Sequence, residues 1–145
     1  VGYVEELRKE IGHRPVILVG VAVLIRNERG ELLLRQKEDG SWGLPGGLME
    51  LGESAEETGR REVREETGLR LGELKLYSVI SGADQHIRLP NGDEFYGVTI
   101  LFSAEEVPDG EMAPDGEEAI ELAYFPSDRL PIQMNRRIRA SIAEG

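Results

Sequence analysis

Apolar and polar residues alternate along the chain in short blocks separated by glycine- and proline-rich turns. Tyr3 to Ile11 sets Val4, Leu7 and Ile11 near one face, which predicts a short helix stopped by Gly12. Val16 to Arg26 reads as a long strand. Asn27 to Gly30 reads as a turn and Leu32 to Lys37 as a second strand, so a hairpin is expected. After a turn at Asp39, Gly40 and Ser41, the stretch Trp42 to Gly47 holds too much Gly and Pro to be helical.

Ser54 to Thr67 is built from strong helix formers, with Ser54 and Glu57 spaced for a capping box and Gly68 placed as a stop. Leu74 to Ser81 and Phe95 to Phe102 read as strands. Asp84 to Leu89 is expected to extend the first of them, and Pro90 to Asp93 is the turn between. Glu105 to Glu118 is a polar loop, and Ile120 to Phe125 is the last strand. Pro126 to Leu130 is expected to make one helical turn, and Ile132 to Ala143 a closing helix. Val19, Val21, Val23, Val79, Val98 and Ile100 are expected core. The order β-β-loop-α-β-β-β-α predicts an α/β fold in which helices cover a mixed central sheet.

A length of 145 residues suits one domain, taken here as residues 1–145. The longest apolar run, Val16 to Ile25, is broken by Gly20 and falls short of the roughly 18 residues that would span a bilayer. No basic-then-apolar leader is seen, and a cytoplasmic location is the expectation. Cysteine is absent, which excludes disulfides, thiolate zinc sites and Cys nucleophiles; His13 and His86 alone cannot make a His-rich metal site. The net charge is −11, from 28 acidic and 17 basic residues, so duplex nucleic acid and anionic membranes are disfavoured partners.

Much of that acidity falls between Glu50 and Glu66. Glu62, Glu65 and Glu66 lie at i, i+3 and i+4, on one helix face. Like charges ~4 Å apart repel by about 1 kcal/mol in water and about 4 at an effective dielectric of 20. Either the three acids are fully solvated or a cation holds them, and hard divalent ions such as Mg²⁺ or Mn²⁺ suit oxygen ligands. Arg60, Arg61 and Arg64 are interleaved with them, and the nearby Gly46-Gly47 turn offers backbone groups to a metal or phosphate.

Gly47, five residues, Glu53, seven residues, then the run Arg61 to Leu69 resembles the Nudix box of the Nudix hydrolases at every fixed position, Val63 and Leu69 included. The prelude Trp42 to Gly47 is similar too. The resemblance implies an α/β/α sandwich and Mg²⁺- or Mn²⁺-dependent hydrolysis of a nucleoside diphosphate linked to another group. By the same resemblance Glu65 and Glu66 are metal ligands, Glu62 is a ligand or the general base, and the Gly46 carbonyl is a further ligand. Arg61 and Glu53 form an orienting pair. Some members draw a base or ligand from a loop before the last core strand, where Asp115, Glu117 and Glu118 stand here; Glu118 is the candidate.

Outside the box, Arg35 and Lys37 share a strand face that suits a diphosphate, against the alternative of a solvated sheet edge. His86 and Tyr96, with Arg88, are candidates for a base or ribose. Trp42 either stacks on a base or, as is more usual, packs. Arg136, Arg137 and Arg139 are read as a basic helix patch. Subgroup marks are missing: Ser81 to Gln85 lacks the proline typical of ADP-ribose pyrophosphatases, and Tyr96 is too distant for the diadenosine polyphosphate mark. The expected partner is a nucleotide-type small molecule. A nucleotide-sensing module, an RNA 5′-end pyrophosphohydrolase and a homodimer formed through the sheet edge or the first helix stay open.

Overall fold

The computed structural model describes residues 2–105 and 121–144. Its centre is β1 (Val16–Arg26), which runs parallel to β7 (Glu94–Glu105) along its whole length, from Val16 opposite Phe95 to Arg26 opposite Glu105. The other edge of β1 is shared. Gly20 to Ala22 pair with β4 (Gly46–Leu48), and Arg26 pairs with Leu32 at the start of β2 (Leu32–Gln36).

The expected hairpin therefore forms only at its closed end. Beyond it β2 leaves β1 and pairs over all five residues with β8 (Glu121–Phe125), then with β3 (Trp42–Gly43). Between them, the edge positions that a full hairpin would occupy are taken by β4. The segment Trp42 to Gly47, expected to be non-helical, supplies two short strands.

β5 (Lys75–Ile80) pairs antiparallel with β7, and a bulge shifts its register between Leu76 and Ser78. The bulge moves the face alternation by one residue. Tyr77 and Ile80 consequently point into the same core layer, while Val79 is 51% exposed. The expectation that Val79 is core fails for that reason. The segment expected to extend this strand instead forms a 3₁₀ turn at Ala83–Gln85 and a separate strand, β6 (His86–Arg88), on β7.

Alternating residues of β1 feed two layers. Val21, Val23 and Ile25 join Val63, Leu69 and Phe102 beneath α2 (Ala55–Thr67). Ala22 and Leu24 join Leu34, Ile80, Leu101 and Ile142 beneath α3 (Arg136–Glu144). The α/β/α sandwich with its mixed sheet is thus the observed fold. α3 begins later than expected because Asn135 caps it, its side chain accepting from the Ile138 amide at 3.0 Å. Pro126 to Arg129 is a hydrogen-bonded turn rather than a helix.

α1 (Tyr3–Ile11) is fastened by Arg8, which donates to the carbonyls of Gly12 at 3.0 Å, Arg14 at 2.7 Å and Glu94, and pairs with Asp93 at 3.6 Å. At its other end the Tyr3 amide donates to Glu50 Oε1 at 2.9 Å. The polar-loop residues Asp115, Glu117 and Glu118, and Ile120, lie outside the described residues.

Candidate active site

α2 carries the acids because its start and stop are locally encoded. The Ser54 hydroxyl accepts from the Glu57 amide at 3.1 Å and the Glu57 carboxylate accepts from the Ser54 amide at 2.9 Å. Gly68 closes the helix in the left-handed region at φ 77°. Val63 is fully buried, and Gly59 lets α2 approach β1: a Cβ there would stand 3.2 Å from a Val21 methyl. This seating turns Glu62 and Glu66 toward β4.

Two glycines make that approach possible. A Cβ on Gly46 would lie 2.0 Å from the Val21 carbonyl oxygen, and one on Gly47 would lie 2.4 Å from the Glu62 carboxyl carbon. Gly46 is thus required by backbone contact with β1, and Gly47 leaves the space that the Glu62 carboxylate fills.

Arg61 ties the acids together. Its Nε donates to Glu53 Oε2 at 2.6 Å and its Nη2 to Glu53 Oε1 at 2.9 Å; Nη1 reaches Glu62 Oε1 at 2.8 Å and Glu65 Oε2 at 3.4 Å. Glu53 also accepts from the Glu50 amide at 2.9 Å and from the Thr58 hydroxyl at 3.0 Å. The Arg61 hydrogen bonds, foremost, hold the Glu53 carboxyl down to about 2, with the Glu50 and Thr58 donors adding to them and burial opposing. Arg61 is correspondingly shifted up, first by Glu53 and then by Glu62.

Glu66 is the buried acid, its side chain 1% exposed. Oε1 accepts from the Gly46 amide at 2.7 Å, and Oε2 forms an ion pair with the Arg35 guanidinium from β2. A carboxylate this deep needs such partners, because an isolated buried charge costs several kcal/mol.

Two clefts meet at this point. One, of about 720 Å³, is lined by Gly46, Gly47, Glu62, Arg35, Lys37 and the first residues of α1. The other, of about 570 Å³, shares Arg35, Lys37, Gly46 and Gly47 and continues past Trp42 to Met134 and Asn135. Glu53, Arg61, Glu62, Glu65, Glu66, Gly46, Arg35 and Lys37 are therefore brought together. His86 and Tyr96 are not among the lining residues of either cleft. They pair with each other across β6 and β7, ring centroids 5.0 Å apart, and His86 Nε2 meets Glu94 at 2.9 Å. Trp42 packs edge-on to Phe125 at 4.9 Å, and Arg137 pairs with Asp84 at 3.0 Å.

Sequence reasoning overlooked Thr58, Glu50 and Asn135. Thr58 and Glu50 brace Glu53 through the contacts above. Asn135 lines the second cleft while donating to Gln85 at 3.3 Å. A threonine inside a helix of charged residues, and an asparagine ahead of an arginine-rich helix, are the signals that point to them.

The donor set is all oxygen, and it suits a hard divalent cation in kind: carboxylates of Glu62, Glu65 and Glu66 beside a glycine cradle that any Cβ would fill. Among the described residues the acids do not converge as a finished metal group. Guanidinium groups of Arg35 and Arg61 stand on them instead.

Comparison with known proteins agrees with this geometry. The NUDIX domain family matches residues 16–144, which spans the whole sheet, α2 and α3. The chain belongs to the Nudix hydrolase family. Among curated relatives, Bacillus subtilis (strain 168) YjhB is 36% identical over 100 residues, covering 69% of this chain and 46% of that protein. An ADP-ribose pyrophosphatase of Methanocaldococcus jannaschii is 36% identical over 116 residues, covering 78% of this chain and 64% of that enzyme. The chain thus spans about half to two thirds of these Nudix relatives' lengths. The crystal structure of a MutT NUDIX hydrolase from Burkholderia pseudomallei superposes with a TM-score of 0.70 at 28% identity, covering 88% of this chain and 97% of that one. Nudix proteins in general use Mg²⁺ or Mn²⁺. No helix among the described residues of this Nudix chain is long and apolar enough to cross a membrane.

Proposed function

We propose that this Nudix protein hydrolyses the pyrophosphate bond of a nucleoside diphosphate linked to another group, using Mg²⁺ or Mn²⁺. The observation that carries the reading is the cleft itself. Glu62 of α2 and the Gly46-Gly47 cradle line it together with Arg35 of β2 and Lys37 just after that strand, and Arg35 pairs there with the buried Glu66. A diphosphate needs cations on its non-bridging oxygens and an activated water on one phosphorus.

Glu62, Glu65 and Glu66, with the Gly46 carbonyl, would hold the metal. Bound there, it would neutralise charge on the diphosphate and lower the pKa of an attacking water. Glu62 is the residue best placed to take a proton, since its carboxylate lies directly beneath Gly47 in the cleft. Arg61 positions Glu62 and is itself fixed by Glu53. Lys37 contacts the diphosphate. The second cleft takes the nucleoside, with apolar lining from Leu44, Met134 and Ile138. Glu118 is kept as a second carboxylate for the proton, and His86 and Tyr96 as contacts for a distal substrate group.

The names of relatives span ADP-ribose pyrophosphatase and MutT, so the substrate is proposed as a class. A panel of nucleoside triphosphates, nucleotide sugars, ADP-ribose and 5′-triphosphorylated RNA, assayed with Mg²⁺ or Mn²⁺, tests it. Products from ¹⁸O water identify the phosphorus attacked. Glu62→Gln and Glu65→Gln should each lower kcat by at least about a hundredfold with binding partly kept. Turnover unchanged in both, or persisting in chelator, would remove this mechanism.

A further inference from the structure

We propose that Arg35 is a resident counter-cation of Glu66 that competes with the divalent metal, and that metal binding hands Arg35 over to the substrate. The inference rests on the pyrophosphohydrolase reading and concerns a residue whose task there is otherwise only contact with the diphosphate.

The argument begins with the burial of Glu66. Its side chain is 1% exposed, yet the protein keeps a carboxylate there rather than an apolar residue. One oxygen is satisfied by the Gly46 amide at 2.7 Å, a bond to rigid backbone that fixes the carboxylate plane. The other oxygen faces Arg35, whose side chain is itself 16% exposed. Removing one member of a buried charge pair normally leaves the other strongly destabilised. Arg35 therefore supplies, without metal, the charge that a divalent ion would supply with it.

Both cations cannot press on the same oxygen without repelling each other. Arg35 sits on β2, away from the α2 backbone, and borders both clefts next to Lys37. A small rotation of its long side chain takes the guanidinium off Glu66 and into the cleft, where a fork of donors matches a diphosphate. Arg61 differs. It is clamped by two bonds to Glu53 and stays put while serving Glu62. Of the two arginines on the acids, Arg35 is the one able to exchange.

Metal affinity measured without substrate reads this directly. Mn²⁺ is titrated into the whole protein, and the free ion is followed by electron paramagnetic resonance. Competition predicts that Arg35→Gln binds Mn²⁺ more tightly than the wild type, by about fivefold or more. The same variant should melt earlier than wild type in EGTA and recover more of its Tm on adding Mn²⁺. If Arg35→Gln does not fold, Arg35→Lys serves, since its shorter reach loosens the pair while keeping the charge; its Mn²⁺ affinity should also exceed that of the wild type. Affinity equal to or below wild type in the folded variant overturns the inference, because Arg35 would then be orienting Glu66 for the metal. That failure leaves the functional reading intact. A wild-type protein that binds no Mn²⁺ at all would instead sink the functional reading.

Discussion

Arg61 grips Glu53 through both ends of its guanidinium fork, at 2.6 and 2.9 Å, and uses its remaining nitrogen on Glu62 at 2.8 Å. The loop that follows β4 and the helix that carries the acids are thereby locked to one another, with the Thr58 hydroxyl bracing the same Glu53 carboxylate. Arg61→Lys keeps a charge but not the fork. Its kcat should fall by about a hundredfold, because small displacements of a reacting group have effects of that size. KM should move far less. Steady-state kinetics at saturating Mg²⁺ separates the two, and a raised KM with kcat unchanged would show that Arg61 acts on binding.

The same pair should appear in the acid limb of stability. Glu53 is held at about 2 against an ordinary 4.5. Its contribution is complete above the unfolded value and disappears as pH falls through the folded one. The difference in unfolding free energy between wild type and Glu53→Gln should therefore be largest above about pH 5 and shrink steadily toward pH 2. Urea unfolding of both proteins across that range checks it. Comparing the two cancels the effect of relieving the chain's net charge of −11.

Gly46 and Gly47 should respond differently to alanine. At Gly46 the new methyl meets the backbone of Val21, which cannot move without parting β4 from β1. A loss of about 2–3 kcal/mol is expected for Gly46→Ala by chemical denaturation. At Gly47 it meets the end of the Glu62 side chain, which can turn aside. Gly47→Ala should stay close to wild type in Tm while losing most of its turnover.

α1 should be detachable. Arg8→Ala removes the donors to Gly12, Arg14 and Glu94 and the pairing with Asp93. About 1–3 kcal/mol of stability should be lost. Amide exchange should speed up across Tyr3 to Ile11 first, since α1 buries no residue fully. Protection unchanged there would mean that the helix is held by something other than Arg8.

What the sequence disclosed follows from the range of each interaction. The ends of α2 were legible because Ser54, Glu57 and Gly68 act within a few residues of one another. The three acids shared a predicted face for the same reason. The partner of β2 was not legible: Leu33 lies opposite Tyr124, and nothing near Leu33 announces it. Val79 was misread because a bulge leaves no mark in the hydrophobic pattern until its register is known. Arg35 was singled out for its alternation with Lys37, but its bond to Glu66 depends on β2 and α2 meeting across β4, a three-element arrangement that no local spacing encodes.

The parallel pairing of β1 with β7 also has a bearing on biosynthesis. Every residue of β1 waits for a strand that ends at Glu105, whereas α2 is complete at Thr67. On the ribosome the acid-bearing helix therefore emerges well before the central platform can be assembled. A nascent chain stalled short of β7 should display the whole motif and yet fail to retain manganese, since long-range strand closure has to come first.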